Sequence, residues 1–217
     1  MAQGTWNFVV RRAAEHDVDA IAQITLEAFQ KVLPYLRPLA ASDPDGFLAS
    51  SASRSHEVIR GEKGPDVQWL VAVEQETQEV AAIAKWDRIA NLCATDFVPA
   101  TSSAFGGPPQ VDFYNHQELV HRRIMGDRPH YWLHILATRP SFQRTGAASA
   151  LLRNLTETAD TEQLLLYLEA APGSLPVYQK FGWTAMESLS MPTIAGLPDA
   201  SEVVMLRQPY GGRPVGH

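Results

Sequence analysis

The stretch Leu136-Ala137-Thr138-Arg139-Pro140-Ser141-Phe142-Gln143-Arg144-Thr145-Gly146-Ala147-Ala148 decides the fold of this chain. It predicts the end of a strand, a turn at Pro140 and the start of a helix around 143–146. Small residues at 146–148 allow a ligand to approach the backbone closely. The first amides of a helix have no partner within it, and the helix dipole adds partial positive charge there. The turn is therefore a candidate anion site, well suited to a diphosphate.

The same small residues have a second explanation. They also allow a helix to pack tightly on a sheet, and the pattern alone does not choose between packing and anion binding. Three cationic residues add charge near the turn, namely Arg139, Arg144 and Arg153. Neither the Gly-x-x-x-x-Gly-Lys-Ser/Thr of a nucleotide P-loop nor the Gly-x-Gly-x-x-Gly of a dinucleotide fold occurs in the chain.

Hydrophobic periodicity outside this stretch predicts one mixed α/β domain over residues 1–217. Strands and helices alternate from residue 131 onward, which predicts parallel strands on either side of the helix that follows the turn. Two apolar runs joined by a polar turn predict an antiparallel hairpin. The predicted strands are 8–12, 67–74, 80–88, 131–138, 164–169, 183–189 and, at a sheet edge, 203–207. One predicted helix follows Asp17 as its N-cap, one begins at Ala147, and three span 44–60, 113–125 and 176–181.

Composition restricts the class of protein. The chain has 217 residues, 45% of them hydrophobic, which is enough for a globular core. Its 18 basic and 24 acidic residues leave a net charge of −6, which argues against a nucleic-acid partner. Apolar runs such as 164–168 are far shorter than the roughly 20 residues that cross a bilayer, so we expect no membrane partner. The start of the chain lacks a secretory pattern, and the expected location is cytoplasmic.

Metal and thiol chemistry are not expected. The one cysteine, Cys93, excludes an internal disulfide and a multi-thiolate zinc site. Four histidines lie close in sequence, but they lack a ligand pair spaced i, i+4 on one helical face. They are His116, His121, His130 and His134.

Residues 95–111 interrupt the pattern with prolines and glycines. A loop of this length in a compact domain is usually functional or mobile. Some aromatic residues in and around this insert must belong to the core. Because the insert carries Phe97 and Phe105, it is also a candidate lid over an acceptor pocket for a fairly apolar small molecule. A loop-rich tail is expected over 190–217.

Two motifs resemble those of a known superfamily. Gln143-Arg144-Thr145-Gly146-Ala147-Ala148 resembles the Gln/Arg-x-x-Gly-x-Gly/Ala signature of the GNAT acetyltransferases. Leu168-Glu169-Ala170-Ala171 followed by Val177-Tyr178-Gln179-Lys180-Phe181-Gly182-Trp183 resembles their later motif, and the run from Met125 to Leu133 resembles fungal members. The resemblance covers about 125–185. It departs at Pro172-Gly173, where many members carry an Asn that touches the pantetheine arm.

The resemblance implies a mixed, mostly antiparallel sheet with flanking helices and a splayed pair of parallel strands, 131–138 and 164–169. Acetyl-CoA, as co-substrate, would lie between these strands, with its pyrophosphate on the amides of the turn. The implied cofactor-binding residues are Leu136, Ala137, Thr138, Gln143, Arg144, Thr145, Gly146, Ala147 and Ala148. Tyr178 would donate a proton to the departing CoA thiolate, unless it is a packing residue.

Acetyl transfer to an amine also requires a proton acceptor. His134 lies within the strand beside the expected thioester and is a candidate to relay the amine's proton through water, although a structural role fits it equally well. Glu169 is a weaker candidate. We therefore predict an N-acetyltransferase acting on a small-molecule amine by direct attack, as a monomer or homodimer. An O-acetyltransferase, a non-catalytic CoA-binding protein and a nucleotide-binding domain remain as alternatives.

Overall fold

The computed structural model describes residues 7–32, 43–92, 98–100, 108–190 and 201–210. Their strands form one seven-stranded sheet in the order β1-β2-β3-β4-β5-β7-β6. In chain order the elements are β1 (Phe8–Arg12), α1 (Val18–Val32), α2 (Pro44–Ile59), β2 (Val67–Glu74), β3 (Val80–Ile89), α3 (Pro108–Met125), β4 (His130–Thr138), α4 (Ala147–Glu162), β5 (Leu165–Ala170), α5 (Leu175–Gln179), β6 (Thr184–Ser190) and β7 (Ser201–Arg207).

The sheet is mixed and mostly antiparallel, as predicted. The one parallel pair is β4 with β5, on either side of α4, and the other neighbouring strands run antiparallel. The prediction that 203–207 is an edge strand is wrong. β7 lies between β5 and β6, where Val204 and Met205 are fully buried, and β6 forms the edge instead.

Helices cover both faces of the sheet. The apolar stripe of α4 packs on one face, where Leu151, Leu152 and Leu155 are each 1% exposed. Burying a leucine side chain this completely contributes about 1.5–3 kcal/mol, so this face holds much of the stability. On the other face, α1 and α2 cover the side formed by β2, β3 and the end of β4, and α3 covers the side formed by β5, β7 and β6.

One helix start and one cap differ from the prediction. α3 begins at Pro108 rather than at residue 113, because proline fits the first turn of a helix, where its missing N–H would have no partner anyway. α1 begins at Val18, directly after Asp17 as predicted, but Asp17 ends a 3-10 turn and its side chain bonds back to earlier residues. Its buried carboxylate accepts bonds from the Ala14 N–H at 2.7 Å and from both Nη atoms of Arg11 at 2.6 and 2.9 Å.

Much of the candidate lid and of the expected tail lies outside the described residues, including Phe97 and Phe105, and so does Cys93. Of the insert, residues 98–100 and the start of α3 are described. The backbone of Ala100 is bonded twice to the side chain of Asn115 on α3, at 2.8 and 3.1 Å. None of the helices in the described ranges is long and apolar enough to span a bilayer.

Candidate active site

The parallel strands β4 and β5 separate partway along their length. Their pairing runs from His130 with Leu165 to Trp132 with Tyr167 and stops there. β4 nevertheless continues to Thr138, and β5 continues to Ala170 while it remains paired with β7 on its other edge. The result is a wedge-shaped opening between β4 and β5, which is the splayed pair that the sequence predicted.

A bulge in β4 lies at the narrow end of this wedge. Lys85 of β3 pairs with Ile135 and Trp86 pairs with Leu133, which leaves His134 as an extra residue in β4. A bulge bends its strand and increases the local twist, so it helps to turn β4 away from β5.

Main-chain groups of β4 line the wedge beyond the bulge. The N–H of Arg139 donates to the Ala81 carbonyl on β3 at 2.9 Å. Successive residues of a strand point their main-chain groups to opposite edges. The groups of Leu136 and Thr138 therefore face the wedge, as required for the predicted pantetheine contacts, whereas those of Ala137 face β3.

The predicted anion-binding turn lies at the wide end of the wedge. Pro140–Phe142 form a 3-10 turn, which the side chain of Phe142 anchors in the core. Arg144 and Gly146 then have φ values of +64° and +102°, and α4 begins at Ala147. Such left-handed residues allow consecutive amides to face a common concavity.

The amides of this turn are only partly used by the protein itself. Those of Gln143 and Thr145 donate to carbonyls within the turn, each at a long 3.4 Å. The remaining amides have no hydrogen-bond partner among the described residues, and they belong to Arg144, Gly146, Ala147 and Ala148. Two exposed guanidinium groups, of Arg144 and Arg153, lie nearby, and neither forms an ion pair with a described residue. Arg139 differs, because its Nε donates to the Val80 carbonyl at 3.2 Å.

Tyr178 lies on α5, on the face of the sheet that α4 covers. Its side chain is 8% exposed and packs edge-on against Trp183, with ring centroids 5.8 Å apart. Burial raises the pKa of the Tyr178 phenol far above its ordinary value, and the charge of Glu202 on β7 adds to this effect. The phenol therefore keeps its proton at any physiological pH and has the state required of a proton donor.

His134 is half-buried on the opposite face, and its Nε2 lies 3.0 Å from Oδ2 of Asp87 on β3. Burial lowers the pKa of His134, although Asp87 opposes this effect. Burial also acts to raise the pKa of Asp87, but His134 and Lys85 outweigh it and hold that pKa below its usual value. His134 is thus a neutral imidazole beside a carboxylate. The sequence prediction missed Asp87, and its position opposite Trp132 becomes apparent only from the register of β3 and β4.

Glu169 has a larger part in this site than its sequence suggested. It lies on β5 just beyond the last residue paired with β4, and its Oε2 accepts a hydrogen bond from the Trp132 indole at 3.0 Å. Its Oε1 is buried and has no hydrogen-bond partner among the described residues. The bond therefore crosses the narrow end of the wedge, from β4 to β5.

Two of the clustered histidines, His121 and His130, contact each other in the core. His121 and His130 are fully buried with their Nε2 atoms 2.7 Å apart, and Nδ1 of His130 donates to the Arg128 carbonyl at 2.6 Å. Burial lowers the pKa of His130 to about 4. Within the described ranges, no three histidine, cysteine or carboxylate side chains come together as metal ligands.

Comparisons with known proteins agree with this geometry. Residues 119–191 match the family described as the acetyltransferase (GNAT) domain. A comparison with curated protein sequences finds no match. The described fold resembles a histone acetyltransferase HPA2-related acetyltransferase from Corynebacterium glutamicum, with 20% identity, 96% of this chain and 99% of that chain covered, and a TM-score of 0.61.

Two further structures are similar. Ribosomal-protein-alanine N-acetyltransferase from Brucella melitensis has 17% identity and a TM-score of 0.60, with 92% of this chain and 99% of that chain covered. A phosphinothricin acetyltransferase from Sinorhizobium meliloti, in complex with AcCoA, has 14% identity and a TM-score of 0.57, with 96% and 93% covered. These organisms are bacteria, and the resemblance to fungal members is not supported. Residues 119–191 therefore match a GNAT acetyltransferase domain, and the described chain has the fold of GNAT acetyltransferases.

Proposed function

We propose that this protein is an acyl-CoA-dependent N-acetyltransferase, which transfers the acetyl group of acetyl-CoA to the primary amine of a small molecule. The observation that carries the proposal is the wedge between β4 and β5, together with the four unpartnered amides at its wide end. An open strand edge offers hydrogen bonds to the amides of an extended pantetheine arm. Free amides at the start of a helix favour a diphosphate.

The proposed reaction is direct attack of the amine on the thioester carbonyl carbon, without a covalent enzyme intermediate. The amine must first lose a proton, because an alkylammonium with a pKa of roughly 10 has no lone pair. A main-chain N–H of β4 facing the wedge would stabilise the thioester oxygen as it gains charge. Among the described residues, His134 and Glu169 are the candidates beside the wedge to take the amine's proton.

Tyr178 is the proposed proton donor to the departing CoA thiolate. Its burial and raised pKa support this role, because they keep the phenol protonated and able to donate. The CoA thiolate is a weaker base than phenolate, so Tyr178 would act by donating a hydrogen bond that strengthens as the sulfur becomes negative.

A small acceptor fits the cover over the opposite face. α3 lies across β5, β7 and β6, and Asn115 fixes residue 100 of the insert against this helix. This arrangement supports a compact acceptor with an apolar part rather than an extended peptide. The substrates in the names of the similar proteins differ from one another and do not identify the acceptor of this protein.

Steady-state kinetics with acetyl-CoA and a panel of primary amines test the proposal. We expect acetylated product and intersecting double-reciprocal plots, which indicate a ternary complex. Ping-pong kinetics would contradict direct attack, and product formed only with alcohols would favour O-acetylation. Acetyl-CoA at about 100 times its Kd should stabilise the fold by about 2.7 kcal/mol in a thermal-shift assay, with no comparable effect of ATP or NAD. Stabilisation without any product would indicate a non-catalytic CoA-binding protein.

A further inference from the structure

A groove on the α4 face of the sheet lies away from the proposed cofactor site. This α4 groove has a volume of about 310 Å³ and separates residues 154–162 of α4 from the strands β1, β2, β3 and β4. Tyr131, at the start of β4, lines it, whereas the turn proposed to bind the diphosphate follows Thr138 at the other end of that strand. The strand between these two residues is about 23 Å long.

A polar row on α4 forms the helix side of the groove. Leu151 and Leu155 belong to the apolar row that packs on the sheet. The row beside it has the same spacing of four residues and consists of Asn154, Thr158 and Glu162. A helix that served only to cover the sheet would carry a wider apolar stripe at these positions. The polar row instead leaves a space between the helix and the strands.

The floor of the groove is aromatic and apolar. Trp86 of β3 and Tyr131 of β4 are 3% and 4% exposed, and they pack edge to face with ring centroids 6.3 Å apart. Leu70 of β2 and Val10 of β1 extend this floor toward the edge of the sheet. A flat apolar group that packs on the floor would therefore be removed from water.

Three side chains that line the groove carry N–H donors without partners. They are the indole of Trp86, the amide of Asn154 and the guanidinium of Arg12, and none of them donates a hydrogen bond to a described residue. Trp86 is almost completely buried, so its N–H has little other access to water. A ligand that supplies acceptor oxygens would satisfy these donors.

The charges around the groove leave one cation without a counter-ion. Glu162 accepts a hydrogen bond from Nε of Arg88 at 2.9 Å, so these two charges balance. Arg11 is balanced in the same way by Asp17. Arg12 forms no ion pair with a described residue. A monoanion therefore matches the groove in charge better than a doubly charged phosphate does, and a carboxylate presents two coplanar oxygens to the guanidinium.

We propose that the α4 groove binds a small organic carboxylate with a flat apolar body, such as an aromatic acid. The unpartnered donors would bind the carboxylate oxygens, and the apolar body would pack on the floor. A volume of about 310 Å³ is at the lower end for small-molecule sites, so the body would have one or two rings. The site is independent of the proposed acetyl transfer, because no residue that lines it is a proposed cofactor-binding or catalytic residue.

NMR of the tryptophan indole N–H groups tests the proposal with three probes: benzoate, phenylacetate and indole-3-acetate. Each probe is compared with its primary amide, which has a similar shape but no charge. The chain has five tryptophans, and Trp86→Phe identifies the Trp86 signal. We expect at least one carboxylate to shift this signal saturably, and its amide to bind at least about tenfold more weakly. If no carboxylate shifts the signal, or if the amide binds equally well, the proposal is wrong.

Substitutions at the rim test the site without altering its floor, with Kd measured by isothermal titration calorimetry. Arg12→Gln should raise Kd for the tightest probe about tenfold or more, and Arg12→Lys should raise it less because the charge remains. Asn154→Leu should abolish binding without lowering Tm, because the new side chain fills the groove and widens the apolar stripe. Lys180→Gln is the matched control, since it removes another exposed cation without an ion pair in the described chain, and it should leave Kd within twofold.

Competition with CoA separates this groove from the proposed cofactor site. A carboxylate bound in the groove should keep its Kd within twofold when CoA is present in excess. Displacement by CoA would place the probe in the turn at 143–148 and overturn the inference, and so would a wild-type Kd in Arg12→Gln. None of these measurements requires turnover, so a failure of the proposed acetyl transfer and a failure of this site are distinguishable.

Discussion

Replacement of Gly146 by alanine separates backbone strain from loss of the anion site. Gly146 has a φ of +102°, which L side chains rarely adopt, but a Cβ there would meet no atom within 4 Å. The cost to folding therefore comes from conformation alone, at about 1–2 kcal/mol. For a chain of this length, that cost corresponds to a fall in Tm of roughly 2–8 °C.

Two other glycines provide matched controls. Gly64 has a φ of +89° and open space around its Cβ position, but it lies in the turn after α2, far in sequence from the wedge. Gly173 also has open space, without a positive φ. We expect Gly64→Ala to be destabilised as much as Gly146→Ala, and Gly173→Ala to be unchanged or stabilised by about 0.4–1 kcal/mol.

Binding of acetyl-CoA should distinguish the two strained variants. In Gly146→Ala the new methyl group stands among the unpartnered amides, where it blocks close approach of a diphosphate. The loss of one charge-assisted hydrogen bond, about 1.5–3 kcal/mol, corresponds to a roughly 10- to 150-fold rise in Kd by isothermal titration calorimetry. Gly64→Ala should bind as the wild type does. Equal affinities for all three variants would refute the assignment of the diphosphate to this turn.

Three further perturbations test other parts of the structure. Tyr178→Phe should lower kcat about 10- to 100-fold with little change in acetyl-CoA Kd. The control Tyr210→Phe, at an 86% exposed residue, should leave both unchanged. A fully active Tyr178→Phe enzyme would exclude the proton-donor role. Asp160→Asn should lower the free energy of unfolding, measured by urea denaturation, by about 1–2 kcal/mol, because Asp160 accepts two hydrogen bonds from Arg207 at 2.7 and 2.8 Å. A decrease under about 0.5 kcal/mol would mean that solvent screens this partly exposed pair. Burial acts to raise the pKa of Asp17, but its hydrogen bonds hold the pKa below its ordinary value of 3.8, so its stabilising contribution is complete above about pH 4 and is lost as the pH falls further. The difference in unfolding free energy between wild type and Asp17→Asn should shrink over that range, and a constant difference would contradict this linkage.

Local features of the fold could be predicted from the sequence. The strand–turn–helix stretch ending at Ala148 was readable because each of its signals is local, namely apolar alternation, a proline and then small residues. The hairpin of β2 and β3 was readable for the same reason. Pro108 was misread because a proline pair suggests a loop, although the first turn of a helix tolerates it.

Features that depend on which strands become neighbours could not be predicted. Periodicity does not encode the order of strands in space, so β7 was assigned to an edge although it lies inside the sheet. The same limitation hid the environment of Glu169. Its pKa depends on Trp132 from β4 and Glu202 from β7, which are distant in sequence and meet it only after the sheet has formed.

The insertion of β7 between β5 and β6 also has a consequence for synthesis on the ribosome. The nascent chain exposes 165–190 before 201–207, so β5 emerges with its outer edge bare, and β6 has no neighbour in the described sheet until β7 arrives. A bare strand edge readily pairs with a wrong partner. Acquisition of activity during translation should therefore await the last strand, even though the turn that would bind the diphosphate is made some fifty residues earlier.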